Sequence, residues 1–224
     1  MVAHAPVAAD FSDLKTSLRH RLLAAPCHAP LDDWRHGEVS PERRARLRQF
    51  FPENPVPAAV LVPLIDRADG LAILLTRRAS NLKNHAGQIS FPGGRIEHTD
   101  ADPLSAALRE TEEEIGLARS NVEILGYLPD HLVISGFRIT PVVGLVAAAC
   151  RLTVDETEVD DVFEVPLSFV LDARNHVRRV RHFEGEDIPF TDFPYGPHNI
   201  WGATAGMLMT LYRMLRGELS PSRS

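Results

Sequence analysis

The segment from Asp102 to Gly116 constrains the fold most, because it carries its own signals for where a helix begins and ends. Asp102 can cap the first turn with its carboxylate, and Pro103 suits the first helical position. Gly116 readily adopts the left-handed conformation that ends a helix. At about 100° per residue, one face gathers Leu104, Ala107, Leu108, Thr111 and Ile115. The pattern predicts a helix that packs this face against a core.

The same helix gathers three carboxylates on a second face. Glu110, Glu113 and Glu114 fall together on the side predicted to lie away from the core, whereas Glu112 points elsewhere. Like charges at this spacing repel, and Arg109 can relieve part of the repulsion by pairing with Glu113. The residues alone leave two interpretations open. One is a solvated charged face, and the other is a set of oxygen ligands for Mg²⁺ or Mn²⁺.

Short runs of branched apolar residues on both sides of this helix predict strands. The runs AAVLVPLI and LAILLTRR, separated by DRADG, have the pattern of a hairpin. Further strands are predicted for VEILGYLP, RITPVVGLVAAA, HVRRVRHF and IPFTDF, with a short helix before Leu171. With helices near both ends of the chain, the order of elements predicts an α/β (α+β) fold in which helices flank a mixed sheet.

The terminal helices are predicted from apolar spacing. Residues 11–24 show this spacing behind the start signals Ser12 and Asp13. Residues 40–51 open with a serine–proline pair and are strongly basic, which fits a solvated face better than a phosphate site. The apolar face of the last helix is predicted to comprise Ala205, Leu208, Leu211, Tyr212 and Leu215.

Composition narrows the function classes. The chain has 224 residues and a net charge of −6, and no stretch is basic enough to bind nucleic acid. No apolar run reaches the length of a membrane span, and the N-terminal sequence lacks the order of a signal peptide. Cys27 and Cys150 have neither disulfide nor zinc spacing, so free thiols in a reducing compartment are expected. We therefore expect a cytoplasmic protein without nucleic-acid or membrane partners.

Seven residues in and around the acidic helix closely resemble the Nudix box: Gly94, Arg109, Glu110, Glu113, Glu114, Gly116 and Leu117. The Nudix family hydrolyses nucleoside diphosphates linked to another moiety, and its members share an α/β/α sandwich around a mixed sheet. We accordingly expect a Nudix hydrolase domain over residues 51–217, preceded by a helical arm over residues 1–50 and followed by a tail over residues 218–224.

Two positions depart from the motif. Asp100, with Glu97 nearby, stands at the first acidic position, one residue further from Arg109 than is usual. The sequence leaves open which of these two acids fills that role. Thr111 replaces the usual apolar residue, a change that the edge of a core tolerates.

A second resemblance is narrower. LLTRRASNLKNHAGQISFPGG, residues 74–94, is similar to the signature of Nudix enzymes that cleave coenzyme A. Lys83 stands where those enzymes usually have arginine, which keeps the charge but loses bidentate phosphate binding. The segments SGFRITPVVG, ETEVDDVFEVPL and IWGATAGML also look like this subfamily, so the similarity extends over residues 57–215.

The resemblance implies metal-dependent hydrolysis of the diphosphate bond of coenzyme A or its thioesters. The products would be 4′-phosphopantetheine and adenosine 3′,5′-bisphosphate. Glu110, Glu113 and Glu114 would bind Mg²⁺ or Mn²⁺, and Glu113 would share the metal or accept the proton of the attacking water. Arg109 would orient these carboxylates.

Other residues are candidates for substrate binding and proton transfer. Gly93 and Gly94 would let the backbone approach metal and phosphate, where a Cβ would intrude. Arg78 and Lys83 are candidates for the substrate phosphates, with surface charge as the alternative. Glu158 is a candidate general base, and a solvated loop acid is an equally good interpretation.

Three aromatic residues complete the predictions. His85 and His131 could assist catalysis, although a structural or exposed role is commoner for a single histidine. Trp201 is predicted in the core rather than as a stacking platform for adenine.

Two alternatives to hydrolysis of coenzyme A stay open. One is hydrolysis of another dinucleotide-like substrate, such as NADH or ADP-ribose, and the other is a catalytically silent module that binds a nucleotide. The small-molecule substrate is the expected partner, and family resemblance also suggests a homodimer.

Overall fold

The computed structural model describes residues 11–27, 42, 48, 50–82, 85–183 and 185–219. Its helices are α1 Phe11–Arg21, α2 Pro103–Ile115, α3 Leu167–Leu171 and α4 Gly202–Arg216. Its strands are β1 Val56–Arg67, β2 Gly70–Arg78, β3 Ile89–Ser90, β4 Gly93–Arg95, β5 Val122–Tyr127, β6 His131–Leu132, β7 Phe137–Val146, β8 Val159–Pro166, β9 Val177–Phe183, β10 Glu186–Tyr195 and β11 His198–Ile200. The helix predicted over residues 40–51 lies largely outside the described residues, as does most of the tail after residue 217.

The central sheet is mixed, as predicted. Its main path runs in the order β3-β2-β1-β7-β5, and β4, β6 and β8 pair with β1, β7 and β2. β1 and β2 form the predicted hairpin, and β1 pairs in parallel with β7 along Val56–Ile65. A second, three-stranded sheet contains β9, β10 and β11.

The sheet separates two apolar cores, because successive β1 side chains point to opposite faces. Ala59, Leu61 and Ile65 face the core under α2, together with Ala106 and Ile115 of that helix. The intervening β1 residues face the core under α4: Val60, Val62 and Leu64, packed with Ala205, Leu208 and Leu211. A helix on each face of a mixed sheet is the predicted sandwich.

Helix α1 packs onto this domain. Leu18 and Leu22 are buried in the core on the α4 side. Lys15 forms an ion pair of 2.5 Å with Asp66 at the end of β1, and Leu23 bridges to Tyr127 of β5. These contacts tie the described part of the N-terminal segment to two strands of the central sheet.

The predicted ends of α2 are confirmed. Asp102 accepts a hydrogen bond of 2.7 Å from the Ser105 backbone N–H, and Pro103 is the first helical residue. Gly116 ends the helix with φ of 65°. The short helix before Leu171 and the last helix are also present. No helix in the described ranges is long and apolar enough to cross a membrane.

Candidate functional site

The site forms where α2 passes over the two glycines of strand β4. A Cβ built on Gly94 would lie 2.4 Å from the carboxylate of Glu110, so a larger residue there would displace that carboxylate. Gly93 has φ of 148°, and its Cβ would lie 2.4 Å from the Ala59 carbonyl oxygen. The Gly93 N–H donates a hydrogen bond of 3.1 Å to Glu114 Oε2. Glycine at both positions brings the backbone against the carboxylates.

Glu114 is buried, with 3% of its surface exposed. The prediction that it lies away from the core is therefore wrong. Helix α2 packs against strand β4 at Gly93 and Gly94. Because glycine has no side chain, the backbone of the strand covers this part of the helix. Burial raises the pKa of Glu114 to about 7, although the Gly93 N–H and Arg78 oppose the shift. Ionisation of this carboxylate is unfavourable, because burial removes the water that would solvate its negative charge.

Glu110 shares this environment. Burial raises its pKa, the Arg109 guanidinium opposes that rise, and the charges of Glu113 and Glu158 add to it. Glu158 also raises the pKa of Glu114, so this exposed loop acid lies close enough to act on both buried carboxylates. Its segment is anchored by the Ala79 N–H, which donates to the Glu158 carbonyl oxygen at 2.8 Å.

Arg109 uses all five of its N–H groups, four on the acids and one on a backbone carbonyl oxygen. Its Nε and Nη2 bind the two Asp100 oxygens at 3.0 and 2.9 Å. Its Nη1 donates to Glu110 at 2.9 Å and to Glu113 at 3.0 Å, as predicted for the latter pair. Its Nη2 also donates to the Arg95 carbonyl oxygen at 3.2 Å. The pKa of Arg109 is raised, chiefly by its hydrogen bonds to Asp100.

The two departures from the motif have structural explanations. Asp100 carries the bidentate pair with Arg109, and its side chain is 4% exposed. Glu97 is exposed, and its hydrogen bonds to Asp100 use its backbone: its N–H donates to the Asp100 carboxylate, and its carbonyl oxygen accepts from the Asp100 N–H. Asp100 is therefore the acid that contacts the arginine. Thr111 is buried, and its hydroxyl donates to the Ala107 carbonyl oxygen at 2.6 Å, so no polar group is left unpaired.

The acids suit a divalent cation by charge and by chemistry. Four carboxylates contact only two guanidinium groups, which leaves two negative charges unbalanced when all are ionised: Asp100, Glu110, Glu113 and Glu114 with Arg78 and Arg109. Oxygen donors of this kind are those that Mg²⁺ and Mn²⁺ prefer. Within the described chain, no three carboxylate, imidazole or thiolate groups already converge as a metal cage. The Glu113 side chain is 58% exposed and forms an ion pair of 3.0 Å with Arg109.

A cavity of about 1560 Å³ opens on the other side of the glycine strand. Gly93, Gly94 and Arg78 line it, so the predicted glycines and arginine lie between the carboxylates and this space. A register shift between Arg77 and Arg78 in the β2–β8 pairing interrupts the regular ladder at this point. Arg78 Nη1 lies 3.5 Å from Glu114. Lys83 lies outside the described residues.

The predicted aromatic residues also border the cavity. His85 and His131 line it, and a Cβ on Gly206 of α4 would lie 2.5 Å from the His131 ring. Trp201 is 38% exposed and lines the cavity, so its predicted place in the core is wrong. It is the N-cap residue of α4, directly after strand β11.

Sequence reasoning missed a second group of cavity residues. Arg95, Arg178, Arg181 and Arg213 all line the cavity. The basic run VRRVRHF, which forms β9, was a signal for two of them, but its strand pattern says nothing about what the strand faces.

Comparison with known proteins identifies the family of the chain. The NUDIX domain model matches residues 55–193. A protein of Enterobacter sp. (strain 638) named "Uncharacterized Nudix hydrolase NudL" is 41% identical over 155 residues, which cover 69% of this chain and 80% of that protein. The protein of the same name from Escherichia coli (strain SMS-3-5 / SECEC) is 38% identical over 154 residues, again 69% and 80%. The crystal structure of RenU, a Nudix hydrolase from M. smegmatis, is similar in fold, with a TM-score of 0.50 and 17% identity over 75% of this chain and 91% of RenU.

Proposed function

The chain belongs to the Nudix hydrolase family, and from this premise we propose that it hydrolyses the diphosphate bond of coenzyme A or its thioesters in a metal-dependent reaction. The products are 4′-phosphopantetheine and adenosine 3′,5′-bisphosphate. One observation carries the proposal: Glu110 and Glu114 are held against a glycine strand that also borders a large, arginine-lined cavity. A cation bound by the acids and a phosphate bound in the cavity would then be neighbours.

Glu110 and Glu114 are the principal metal ligands in this proposal. Both carboxylates have raised pKa values because they are buried, and a cation would offset the cost of ionising them. When bound, Mg²⁺ or Mn²⁺ would lower the pKa of the attacking water and neutralise charge on the diphosphate.

Glu113 and Glu158 are assigned to the remaining steps. Glu113, which is exposed beside Arg109, shares the metal or accepts the proton of the water. Glu158 is the candidate general base, and its electrostatic effect on Glu110 and Glu114 supports a place at this site. Arg109 orients the acids, because its five donors are already used within the protein.

Arg78 and the two glycines are assigned to the scissile diphosphate. Arg78 lies at the border between carboxylates and cavity, where one guanidinium can contact a phosphate beside the metal. Gly93 and Gly94 let the phosphate and the metal approach the backbone of strand β4. Lys83 is assigned to the phosphates from the coenzyme A-type signature, and that signature over residues 74–94 is what favours coenzyme A over NADH or ADP-ribose.

Product analysis by mass spectrometry tests the proposal. The protein is incubated with coenzyme A, acetyl-coenzyme A, NADH and ADP-ribose, each with Mg²⁺, with Mn²⁺ and with chelator. We expect metal-dependent release of adenosine 3′,5′-bisphosphate from coenzyme A and its thioester. Hydrolysis of NADH or ADP-ribose alone would refute coenzyme A as the substrate, whereas metal-dependent diphosphate hydrolysis would still hold.

Thermal stability distinguishes an enzyme from a silent binding module. A ligand that binds the folded state raises the melting temperature whether or not it is cleaved. Stabilisation by coenzyme A without any product, in the presence of Mg²⁺ or Mn²⁺, would favour the binding module. A cytoplasmic location and a homodimer stay predictions.

A further inference from the structure

The segment between β7 and β8 docks on the C-terminal end of α2. The Thr153 N–H donates to the Ile115 carbonyl oxygen at 2.8 Å, and the Asp155 N–H donates to the Glu114 carbonyl oxygen at 2.9 Å. The last carbonyl groups of an α-helix have no partner within the helix, so these two donors complete its hydrogen bonding. The segment is thereby joined to the backbone of one of the buried carboxylate residues.

The docked segment fits closely against the end of the helix. A Cβ built on Gly116 would lie 2.8 Å from the Thr153 carbonyl oxygen and 2.9 Å from the Thr153 backbone nitrogen. Gly116 therefore makes room for this segment as well as ending the helix. Leu152 and Val154, which alternate with the hydrogen-bonding residues, pack against the core under α2. Polar and apolar contacts together fix where the chain leaves the helix.

A tight turn follows, and Asp155 holds it with both its backbone and its side chain. The Asp155 carbonyl oxygen accepts from the Glu158 N–H at 3.0 Å and from the Val159 N–H at 2.9 Å. Its Oδ1 accepts from the Thr157 N–H at 2.8 Å and from the Thr157 hydroxyl at 2.6 Å. Aspartate commonly fixes turns in this way, because its short side chain reaches the backbone two residues further on.

Strand β2 fixes Glu158 from its other side. The Ala79 N–H donates to the Glu158 carbonyl oxygen at 2.8 Å, and the next residue, Val159, pairs with Arg78 in the β2–β8 ladder. Arg78 in turn lies 3.5 Å from Glu114. The Glu158 backbone is thus bound by the turn on one side and by β2 on the other, next to the arginine that borders the carboxylates.

We propose that Asp155 and Thr157 are positioning residues, which hold Glu158 where it can accept a proton from a water beside Glu110 and Glu114. The inference rests on the proposed function, because that function assigns Glu158 as the general base. A general base must lie within hydrogen-bond reach of its proton, directly or through one water. Glu158 is exposed on a connecting segment, so its place depends on the hydrogen bonds of the turn rather than on burial.

Turnover by the variants D155A and T157A tests the positioning, with whichever of the four substrates the parent protein hydrolyses best. We expect kcat of D155A to fall about tenfold while KM changes less than about twofold, because a misplaced base slows the chemical step and leaves substrate binding intact. T157A should lose less, since the Thr157 N–H still reaches Asp155 Oδ1. Parent kcat in D155A would overturn the inference.

Conservative variants provide the controls. D155N keeps an oxygen acceptor and T157S keeps the hydroxyl, so both should recover most of the parent kcat. E156Q removes an exposed carboxylate from the same turn and should leave kcat unchanged. Thermal melts check that each variant is folded, and T157A replaces D155A in the measurements below if D155A is unfolded at the assay temperature.

A double-mutant cycle separates positioning from a structural role. E158Q alone should lower kcat about 100-fold. Adding D155A to E158Q should lower kcat less than about twofold further, because no base is left to misplace. Losses that multiply independently would show that Asp155 acts on the fold and would overturn the inference. Parent kcat in E158Q would overturn it too, while diphosphate hydrolysis by the parent would still hold.

Calorimetric titration with Mn²⁺ tests whether the variants act through a metal ligand instead. The Asp155 N–H binds the Glu114 carbonyl oxygen, so a change at Asp155 could move Glu114. We expect D155A to bind Mn²⁺ as tightly as the parent, and a parallel loss of Mn²⁺ affinity and kcat would overturn the positioning of Glu158. A parent protein that hydrolyses none of the four substrates would refute the proposed function, and this inference with it.

Discussion

The two faces of the central sheet carry opposite charge. Under α2, the acids Asp100, Glu110 and Glu114 are gathered and partly or fully buried. Across the sheet, the cavity beside α4 is lined by five arginines. The two sets meet at the glycine strand β4, where Arg78 and Glu114 are 3.5 Å apart.

This separation places most of the acids and most of the cavity arginines on different sides of the glycine strand. If the acids and the cavity arginines were mixed, they would neutralise one another in ion pairs, and neither a cation nor a phosphate would gain much by binding. Arg109 is the exception on the acidic face, and it is fully engaged in orienting its neighbours. By charge, the acidic face suits a cation and the arginine-lined cavity suits an anion.

Glu114→Gln should have the largest effect on the acidic face. We expect turnover of coenzyme A to fall on the order of 1000-fold, because a metal ligand is lost. The melting temperature without metal at pH 8 should rise, since a charge that burial disfavours is removed while the Gly93 N–H keeps an acceptor. Turnover assays and thermal melts with Mn²⁺ and with chelator measure both effects. Full activity, or unchanged stabilisation by Mn²⁺, would contradict the assignment of Glu114.

Glu113→Gln tests the exposed member of the acidic set. We expect a loss of roughly 100-fold in kcat with the fold retained, whether the residue shares the metal or accepts a proton. Glu112→Gln is the matched control, because Glu112 pairs with Arg119 at 2.9 Å on another side of the helix and should change kcat little. If the two variants hydrolyse coenzyme A equally fast, the face defined by Glu113 has no part in the reaction.

Gly94→Ala tests the boundary between the two faces. The added Cβ would lie 2.4 Å from the Glu110 carboxylate and must displace it. We expect Mn²⁺ affinity and turnover to fall about 10- to 100-fold, as is usual when the support of a metal ligand is disturbed. Titration with Mn²⁺ followed by activity at saturating metal measures the two effects. Parent-like values would mean that the position of Glu110 in this structure is unimportant.

The pH dependence of metal binding should show the smallest effect. Burial raises the pKa of Glu114 to about 7, so the carboxylate must lose a proton to bind a cation. From about pH 8 to about pH 6.5, the affinity for Mn²⁺ should fall roughly fourfold from this group alone. The sign follows from the raised pKa, since protonation competes with the metal below it. Calorimetric titrations at several pH values measure the trend, and a flat profile would rule out Glu114 as a titrating ligand.

Local signals in the sequence were sufficient for most of the fold. Asp102, Pro103 and Gly116 determine the ends of α2 through backbone chemistry that acts within a few residues. The hairpin of β1 and β2 and the pairing of Arg109 with Glu113 follow from spacing of the same kind. Such features depend little on the rest of the chain.

The features that the sequence left open or predicted wrongly are contacts between distant segments. A helical projection gives the direction of Glu114 but not the glycine strand that covers it. Trp201 is large and apolar, yet its exposure depends on which elements surround the start of α4. The contact between Asp100 and Arg109 depends on the path of the loop, which the motif spacing did not specify. The arginines of β9 likewise line a cavity that several elements form together, which the pattern of one strand does not predict.

The fully used guanidinium of Arg109 makes this position intolerant of substitution. Its hydrogen bonds connect the Arg95 carbonyl oxygen at the end of β4, and Asp100 in the loop that follows, to two acids on α2. Lysine, with three donors and no planar fork, could serve only part of this set. The placement of the acids on α2 therefore depends on residues outside that helix. In a collection of random variants, changes at Asp100 should be as rare among active clones as changes at the acids themselves.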